Sequence, residues 1–579
     1  MNPSLPTRRL PERPDLEQLK HQAKEMQRER GCALHEAQLE LARAYGFASW
    51  PKLKAYVEGA TEKRLAAAVR AGDAGQVGEM LRARPELARM DVPMLLAVLE
   101  RHAEIVRLLL AHGGGVRSGV YPHREATNPL TIARERGYDE IVALIEEAGR
   151  RRREQRGGEA VVTAEEALFQ AIGRGDWAGA RAMVEGTPAL ALAKSPRGWT
   201  ALEAAAHVSG AGSAKEFAAV AEALHAAGAA MTARAAVALG EVEWLRARHA
   251  EGALVNEIAD SGGLLRVAVS HNRADILALL LEMGFDPDER TRVGDGDEVE
   301  FTWGMPLWHC AGTGKYELAR MLLERGADPN ARVYASGDPV FQAYSQGDAE
   351  MVRLLESYGG VPRATTAGLY RQTELARRML AGEAKYGMDG VGGDTLAEQL
   401  LWGSACGGDP AIVRMALERV DWPRDDRRWF HMLEQPLRIW THGPVGAEWD
   451  RGTYLECFRL VLERADPNVV GRVEEEVPFG LTLLHTVTGA REHVTPDERV
   501  AFATMLLDAG ARLDVRDRLL KSTPLGWACR WGRTELVRLF LARGADPVEP
   551  GAEPWARPLA WAEKMGHAEI AAIVKETVR

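Results

Sequence analysis

The chain has 579 residues, 73 Lys and Arg against 83 Asp and Glu, and a formal net charge of -10, so long-range repulsion from phosphate backbones disfavours general nucleic-acid binding. Its five cysteines, Cys32, Cys310, Cys406, Cys457 and Cys529, are scattered and lack C-x-x-C spacing, which argues against disulfides and zinc and suits a reducing cytoplasm. No apolar run approaches membrane-spanning length, and the Pro- and Arg-rich stretch Met1 to Pro14 lacks the apolar core of a signal peptide.

Residues 1–60 read as a small helical cap. Asp15 is placed to start a helix with Leu16, Leu19, Ala23 and Met26 on one side. A second helix from about Ala33 carries Leu34, Ala37, Leu41 and Tyr45, and a third near Trp50 and Pro51 carries Leu53 and Val57. Lys52 and Lys54 give this cap a helix-turn-helix look, but its apolar turn favours core packing. Residues 61–149 hold three helical units, beginning near Leu65, Pro93 and Asn128. Residues 150–162 open with the run Arg150 to Arg153 and continue through Gly157 and Gly158, a linker or a solvated helix end. From 163 to 579 the same cassette recurs, clearest at Leu264, Met305, Asp338 and Ser522, and weakest beyond Arg363. An aromatic-rich insertion spans roughly 421–454, and the last helix, with Lys575, Glu576 and Arg579, has the polar exterior that a terminal unit needs.

The copy at Ser522 shows the physical logic. Thr523 caps a helix and Pro524 supplies the fixed φ of its first position. Leu525, Ala528 and Cys529 share one face, Gly532 breaks the run, and Thr534 starts a second helix with Leu536, Val537, Phe540 and Leu541 as its stripe. Gly544 can close it in the left-handed conformation. This copy and the one at Met305 to Ala331, MPLWHCAGTGKYELARMLLERGADPNA, resemble the ankyrin repeat. The resemblance implies an all-α solenoid of stacked helix-turn-helix units, many of them degenerate, on the order of 15 repeats behind an N-terminal helical cap. The cap is similar to the N-terminal segment of bacterial ankyrin-repeat proteins.

Ankyrin stacks bind proteins on the ends of their first helices and on the fingers between repeats. Carried over position by position, the expected partner-binding stripe is Glu135 and Arg136, Ser270 and His271, Gly312 and Thr313, Ser345 and Gln346, and Arg530 and Trp531. The resemblance thus implies a non-catalytic protein-protein interaction scaffold, monomeric, with an unidentified protein partner, no membrane contact and no cofactor.

Other local signals are weighed against this reading. In the insertion, Trp422, Trp429, Phe430, Trp440 and Trp449 lie among Arg424, Arg427, Arg428 and Arg438, a hot-spot composition that equally suits the filling of a lengthened repeat. The finger from Asp286 to Gly304 is acidic, but its carboxylates do not fall at calcium-loop spacing, so no metal is expected. His309 and Cys310 are adjacent and point about 100° apart, which does not make a nucleophile-base pair, and no catalytic residue is assigned. Two alternatives stay open: an enzyme with a site in the irregular region 363–454, and a nucleic-acid-associated regulator acting through the basic cap and linker.

Overall fold

A short helix with one apolar stripe cannot close a core by itself, so the helices come as antiparallel hairpins laid side by side. The structure is a computed structural model that describes residues 16–45, 47, 49–57, 59–115, 125–155, 163–196, 198–258, 261–293, 300–334, 336–439, 449–471, 479–489 and 494–578. Among these residues there are fifteen hairpins, and the only strands are Thr291–Val293 and Glu300–Thr302, an antiparallel finger. The fold class is an all-α repeat solenoid.

The chain forms two compact units, unit 1 from Met1–Trp50 and Arg152–Val361, and unit 2 from Pro51–Arg151 and Pro362–Arg579. In unit 1 the helices Leu16–Arg30 and Leu34–Ala44 pack on each other, with Leu19, Ala23, Ala37 and Leu41 buried. Six hairpins follow, with first helices Ala164–Gly173, Ala201–Val208, Ala233–Leu239, Leu264–Ser270, Met305–Thr313 and Pro339–Gln346, each touching the next.

Unit 2 is discontinuous in sequence. Its first segment supplies first helices Glu62–Ala71, Asp91–Leu99 and Pro129–Arg136. The second supplies Ala364–Leu369, Leu396–Gly407, Arg428–Glu434, Leu483–Thr488, Pro524–Arg530 and Pro558–Lys564. One apolar core runs through both segments. The third helix of the cap, Trp50–Val57, contributes Ala55 to this core, and Arg84 donates from Nη1 to the Ala60 carbonyl at 3.1 Å. The basic run at Arg150 is the end of the helix Asp139–Gln155, where Arg150 and Arg151 both pair with Glu147 at the surface. Residues 156–162 lie outside the described residues.

The hairpin turn needs a left-handed residue between its helices. Gly314 and Gly532 supply it in the two clearest repeats, whereas Arg101, Asn272 and Arg371 adopt φ of 61°, 54° and 54° in degenerate ones. Around 363–407 the pattern fades for another reason: two backbones touch. The first helices Ala364–Leu369 and Leu396–Gly407 meet through small residues, and a Cβ at Gly403 would stand 2.4 Å from the Thr365 carbonyl oxygen. The aromatic stretch is likewise a hairpin. Arg428–Glu434 is its first helix, in contact with Leu396–Gly407 and Leu483–Thr488, and Gly452–Leu462 is its second.

His485 shows how a repeat locks onto the next. The ring is fully buried, its Nδ1 accepts from the Thr482 N–H at 3.2 Å, and its Nε2 lies 3.1 Å from the Ser522 carbonyl, so the neutral form with the proton on Nε2 satisfies both ends. Burial lowers its pKa from 6.5 to about 4, the Ser522 carbonyl pulling the other way.

Two outcomes are expected. Gly403→Ala should destabilise unit 2 by about 1–3 kcal/mol or more, read as a lower melting temperature, because backbone rather than a flexible side chain blocks the added methyl. The His485 ring should stay neutral in NMR titration from pH 8 to pH 5. Its contribution to stability is complete above the ordinary value near 6.5 and is lost as the pH falls toward about 4.

Candidate interaction surface

The ends of the first helices carry the residues expected to bind a partner. In unit 2, Glu135, Arg530 and Trp531 are engaged with one another, and Arg136 with other residues of the same unit. Arg530, at the end of Pro524–Arg530, donates from Nη2 to Glu135 Oε1 at 2.6 Å, with the side chains only 3% and 11% exposed. The Arg530 guanidinium also lies 4.4 Å from the Trp531 ring centroid and 5.5 Å from that of Trp561. A buried cation is tolerated here because a carboxylate and aromatic faces replace its water. Arg136 lies 4.8 Å over Trp555, donates to the Leu99 carbonyl at 3.2 Å, and reaches the Leu519 carbonyl, while Lys564 Nζ donates to the Glu135 carbonyl. The end of Pro129–Arg136 is therefore seated against the first-helix ends and fingers of the last two hairpins.

In unit 1 the corresponding positions form a buried polar ladder. His271 is 6% exposed, its Nε2 lies 3.1 Å from Ser209 Oγ and 3.2 Å from the Ala206 carbonyl, and burial lowers its pKa to about 4. Ser270 donates to the Arg266 carbonyl at 3.0 Å and lies 3.4 Å from His309 Nε2. Burial lowers the pKa of His309 to about 4 and raises that of the Cys310 thiol to about 12, so the two are held as neutral imidazole and thiol.

Further along unit 1 the surface opens. Thr313 is exposed and Gln346 half-buried at the C-terminal ends of Met305–Thr313 and Pro339–Gln346, and on the fingers that precede these helices lies an aromatic group that the expected stripe left out. Trp303 donates from its backbone N–H to the Arg332 carbonyl at 3.1 Å, Tyr334 from its N–H to Thr302 Oγ1 at 3.1 Å, and Trp308 Nε1 to the Ser336 carbonyl at 3.2 Å. These bonds tie two neighbouring fingers and a first helix together. Arg290 stacks on Phe301 and Trp303, with its guanidinium 5.6 and 4.8 Å from their ring centroids, and Tyr334 is 46% exposed. The signal was in the sequence as Phe301, Trp303, Trp308 and Tyr334, but these sit on fingers and within a first helix rather than at the consensus helix ends.

Two family models describing the ankyrin repeat match the chain, one at residues 305–333 and one at 520–549. This is an ankyrin-repeat protein. No curated protein matches the chain.

Its ankyrin fingers are built in two ways. Where the turn reads Asp-Pro-Asn, the asparagine bridges to the next repeat. Asn330 donates to the Gly359 carbonyl at 3.0 Å and accepts from the Val361 N–H at 2.8 Å, and Asn468 does the same with Gly510 and Arg512 at 3.1 and 2.8 Å. Where it reads Asp-Pro-x-Glu, the glutamate turns inward. Glu289 is 1% exposed and accepts from the N–H groups of Gly263 and Leu265 at 2.6 and 2.7 Å, capping the helix Leu264–Ser270, whose own cap position is Gly263. Burial pushes its pKa up against the pull of those donors.

The irregular region is similarly committed to structure. Trp429 is fully buried, donates from Nε1 to the Pro423 carbonyl at 2.8 Å and meets Trp422 edge-on at 4.8 Å, while Trp440 lies outside the described residues. Asp389 is held by Arg363 at 2.7 Å and by the Thr365 hydroxyl. Among the described residues no group of three or more His, Cys, Asp or Glu is placed to hold a metal ion, and no helix is long and apolar enough to cross a membrane.

Glu135→Ala should cost on the order of 3 kcal/mol, because it leaves Arg530 buried without its carboxylate. Hydrogen exchange in Pro129–Arg136 and Pro524–Arg530 should quicken together; acceleration in only one of them would show that the pair does not couple the two segments.

Proposed function

We propose that this protein is a non-catalytic scaffold that grips a folded protein partner on the fingers and first-helix ends of unit 1. The observation that carries this reading is the accessible aromatic group of Trp303, Trp308 and Tyr334, on the same two hairpins as Thr313 and Gln346. Trp, Tyr and Arg dominate the energetics of protein interfaces, because a rigid aromatic buries a large area at small entropic cost. Two hairpins of unit 1 set Trp303 and Tyr334 on fingers braced by backbone hydrogen bonds, with Trp308 on the first helix between them, so little ordering remains to be done on binding. In unit 2 the helix end Glu135–Arg136 already occupies the equivalent position on the last two hairpins. The five free thiols, four of them buried, suit a reducing compartment and support a cytoplasmic location.

Affinity capture with the full chain, followed by mass spectrometry, tests the reading. Recovery of the principal partner should fall at least tenfold for Tyr334→Ala combined with Gln346→Ala, with the melting temperature within about 2 °C of the wild type. Unchanged recovery would count against unit 1 as the gripping surface.

A further inference from the structure

In unit 2 the finger of residues 381–395 joins the second helix of one hairpin, Thr373–Leu380, to the first helix of the next, Leu396–Gly407. Its middle is held by main-chain bonds on one side only. Gly387 donates from its N–H to the Pro362 carbonyl at 3.0 Å and accepts from the Ala364 N–H at 3.2 Å, the pattern of a parallel bridge centred on Arg363. Two residues on, Asp389 donates from its N–H to Gln399 Oε1 at 2.9 Å, and its carbonyl accepts from Gln399 Nε2 at 2.8 Å. Both main-chain groups of Gly387 and both of Asp389 therefore point the same way, which is the period of an extended strand.

The residues that alternate with them face outward. Among the described residues, neither the N–H nor the C=O of Tyr386 or Met388 is hydrogen-bonded. That leaves an open edge, the template on which another strand adds. The side chains follow the same alternation. Asp389 is drawn in by Arg363 at 2.7 Å and by the Thr365 hydroxyl, while Tyr386 and Met388 share the other face and are 38% and 42% exposed. Gly390, next in the alternation, has open space beside it, since an added Cβ would meet nothing within 4 Å. Nowhere else among the described residues do exposed large apolar side chains come as close in sequence as Tyr386, Met388 and Val391.

The finger is also fixed in advance. Gln399, fully buried, donates from the same Nε2 to the Gly393 carbonyl at 3.0 Å, and Glu398 accepts from the N–H groups of Asp394 and Thr395 at 2.7 and 3.0 Å. An incoming chain meets a formed edge, and the ordering cost falls on its own segment alone. Free N–H and C=O groups on every second residue, about 7 Å apart, are matched by a second extended backbone, which repeats donor and acceptor at the same interval.

We propose that this edge is a β-augmentation site: it takes an extended segment of the scaffold's partner as an added strand, with apolar side chains at alternate positions beside Tyr386 and Met388. That the segment comes from a partner rests on the scaffold reading; the edge itself belongs to unit 2 and does not use the aromatic fingers of unit 1.

The full chain is panned against a phage library of random decapeptides. The selected peptides should carry apolar residues at every second position. One of them is then synthesised unmodified and in two forms N-methylated on alternate residues, one form for each edge of the strand. The form methylated on the pairing edge should bind at least tenfold more weakly, and the other should bind as the unmodified peptide does. Met388→Pro removes the outward N–H and keeps every inward bond, so it should weaken the unmodified peptide at least tenfold with the melting temperature within about 2 °C of the wild type. Bound peptide should also slow hydrogen exchange in residues 385–390 at least tenfold. Equal affinity of all three peptide forms, or no selected peptide that responds to Met388→Pro, overturns the site. Should that variant melt early, the methylated pair decides alone, since it leaves the protein unchanged. Self-association of the free chain that Met388→Pro abolishes would give the edge to a second copy and overturn the partner as its occupant. Failure of the site, together with partner recovery that still responds to Tyr334→Ala, leaves the scaffold reading standing.

Discussion

Every hairpin in this chain depends on a neighbour for half of its core. A first helix such as Pro524–Arg530 is buried at every position, yet it is only seven residues long and its own hairpin covers only one side. The other surfaces are closed by Leu483–Thr488 and Pro558–Lys564, and the same holds for each interior repeat. Cooperativity therefore resides between repeats, and the bonds that cross those boundaries do more than decorate them. His485 reaching the Ser522 carbonyl, Asn468 reaching Gly510 and Glu289 capping the helix at Leu264 are all inter-repeat links made by polar groups with their hydrogen-bonding capacity used.

These links account for the irregular parts of the chain. A repeat can lose its Thr-Pro start or its turn glycine if a neighbour supplies the missing constraint. Gly263 caps nothing with a side chain, and Glu289 from the following finger does it instead; Asn272 takes the left-handed turn conformation that glycine takes elsewhere. The region after Arg363 follows the same rule with different means, replacing interdigitated side chains by glycines at which two backbones meet.

Much of the fold was legible in the sequence because period and punctuation are local properties. Ser522 to Pro547 and Met305 to Ala331 carry the cap, the turn and both apolar stripes in order, and the expected number of repeats agrees with the fifteen hairpins observed. The bond between Glu135 and Arg530 was not legible, because it joins residues nearly four hundred positions apart and nothing in either repeat marks its mate. The same limit applied to the binding stripe. Position in the repeat marks which residues stand at helix ends, but the seating of one such end against another, and the burial of Ser270 and His271 beneath their neighbours, depend on tertiary packing. The aromatic fingers of unit 1 belong to the same category, for they gain their meaning from surroundings that a linear pattern does not encode.

The split of unit 2 into two segments imposes an order on its synthesis. Residues 51–151 emerge from the ribosome well before the repeats that receive the end of Pro129–Arg136, since Leu519 and Arg530 follow roughly 380 to 400 residues later. At about 5–20 residues per second, that interval is on the order of 20–80 s. During it the nascent chain holds three hairpins whose exposed flank has no counterpart yet, while residues 152–361, the longer segment of unit 1, are translated and can fold in between. Slow elongation or premature release would leave that flank open to other chains, which makes the interval between the two segments the moment at which this protein most needs a chaperone.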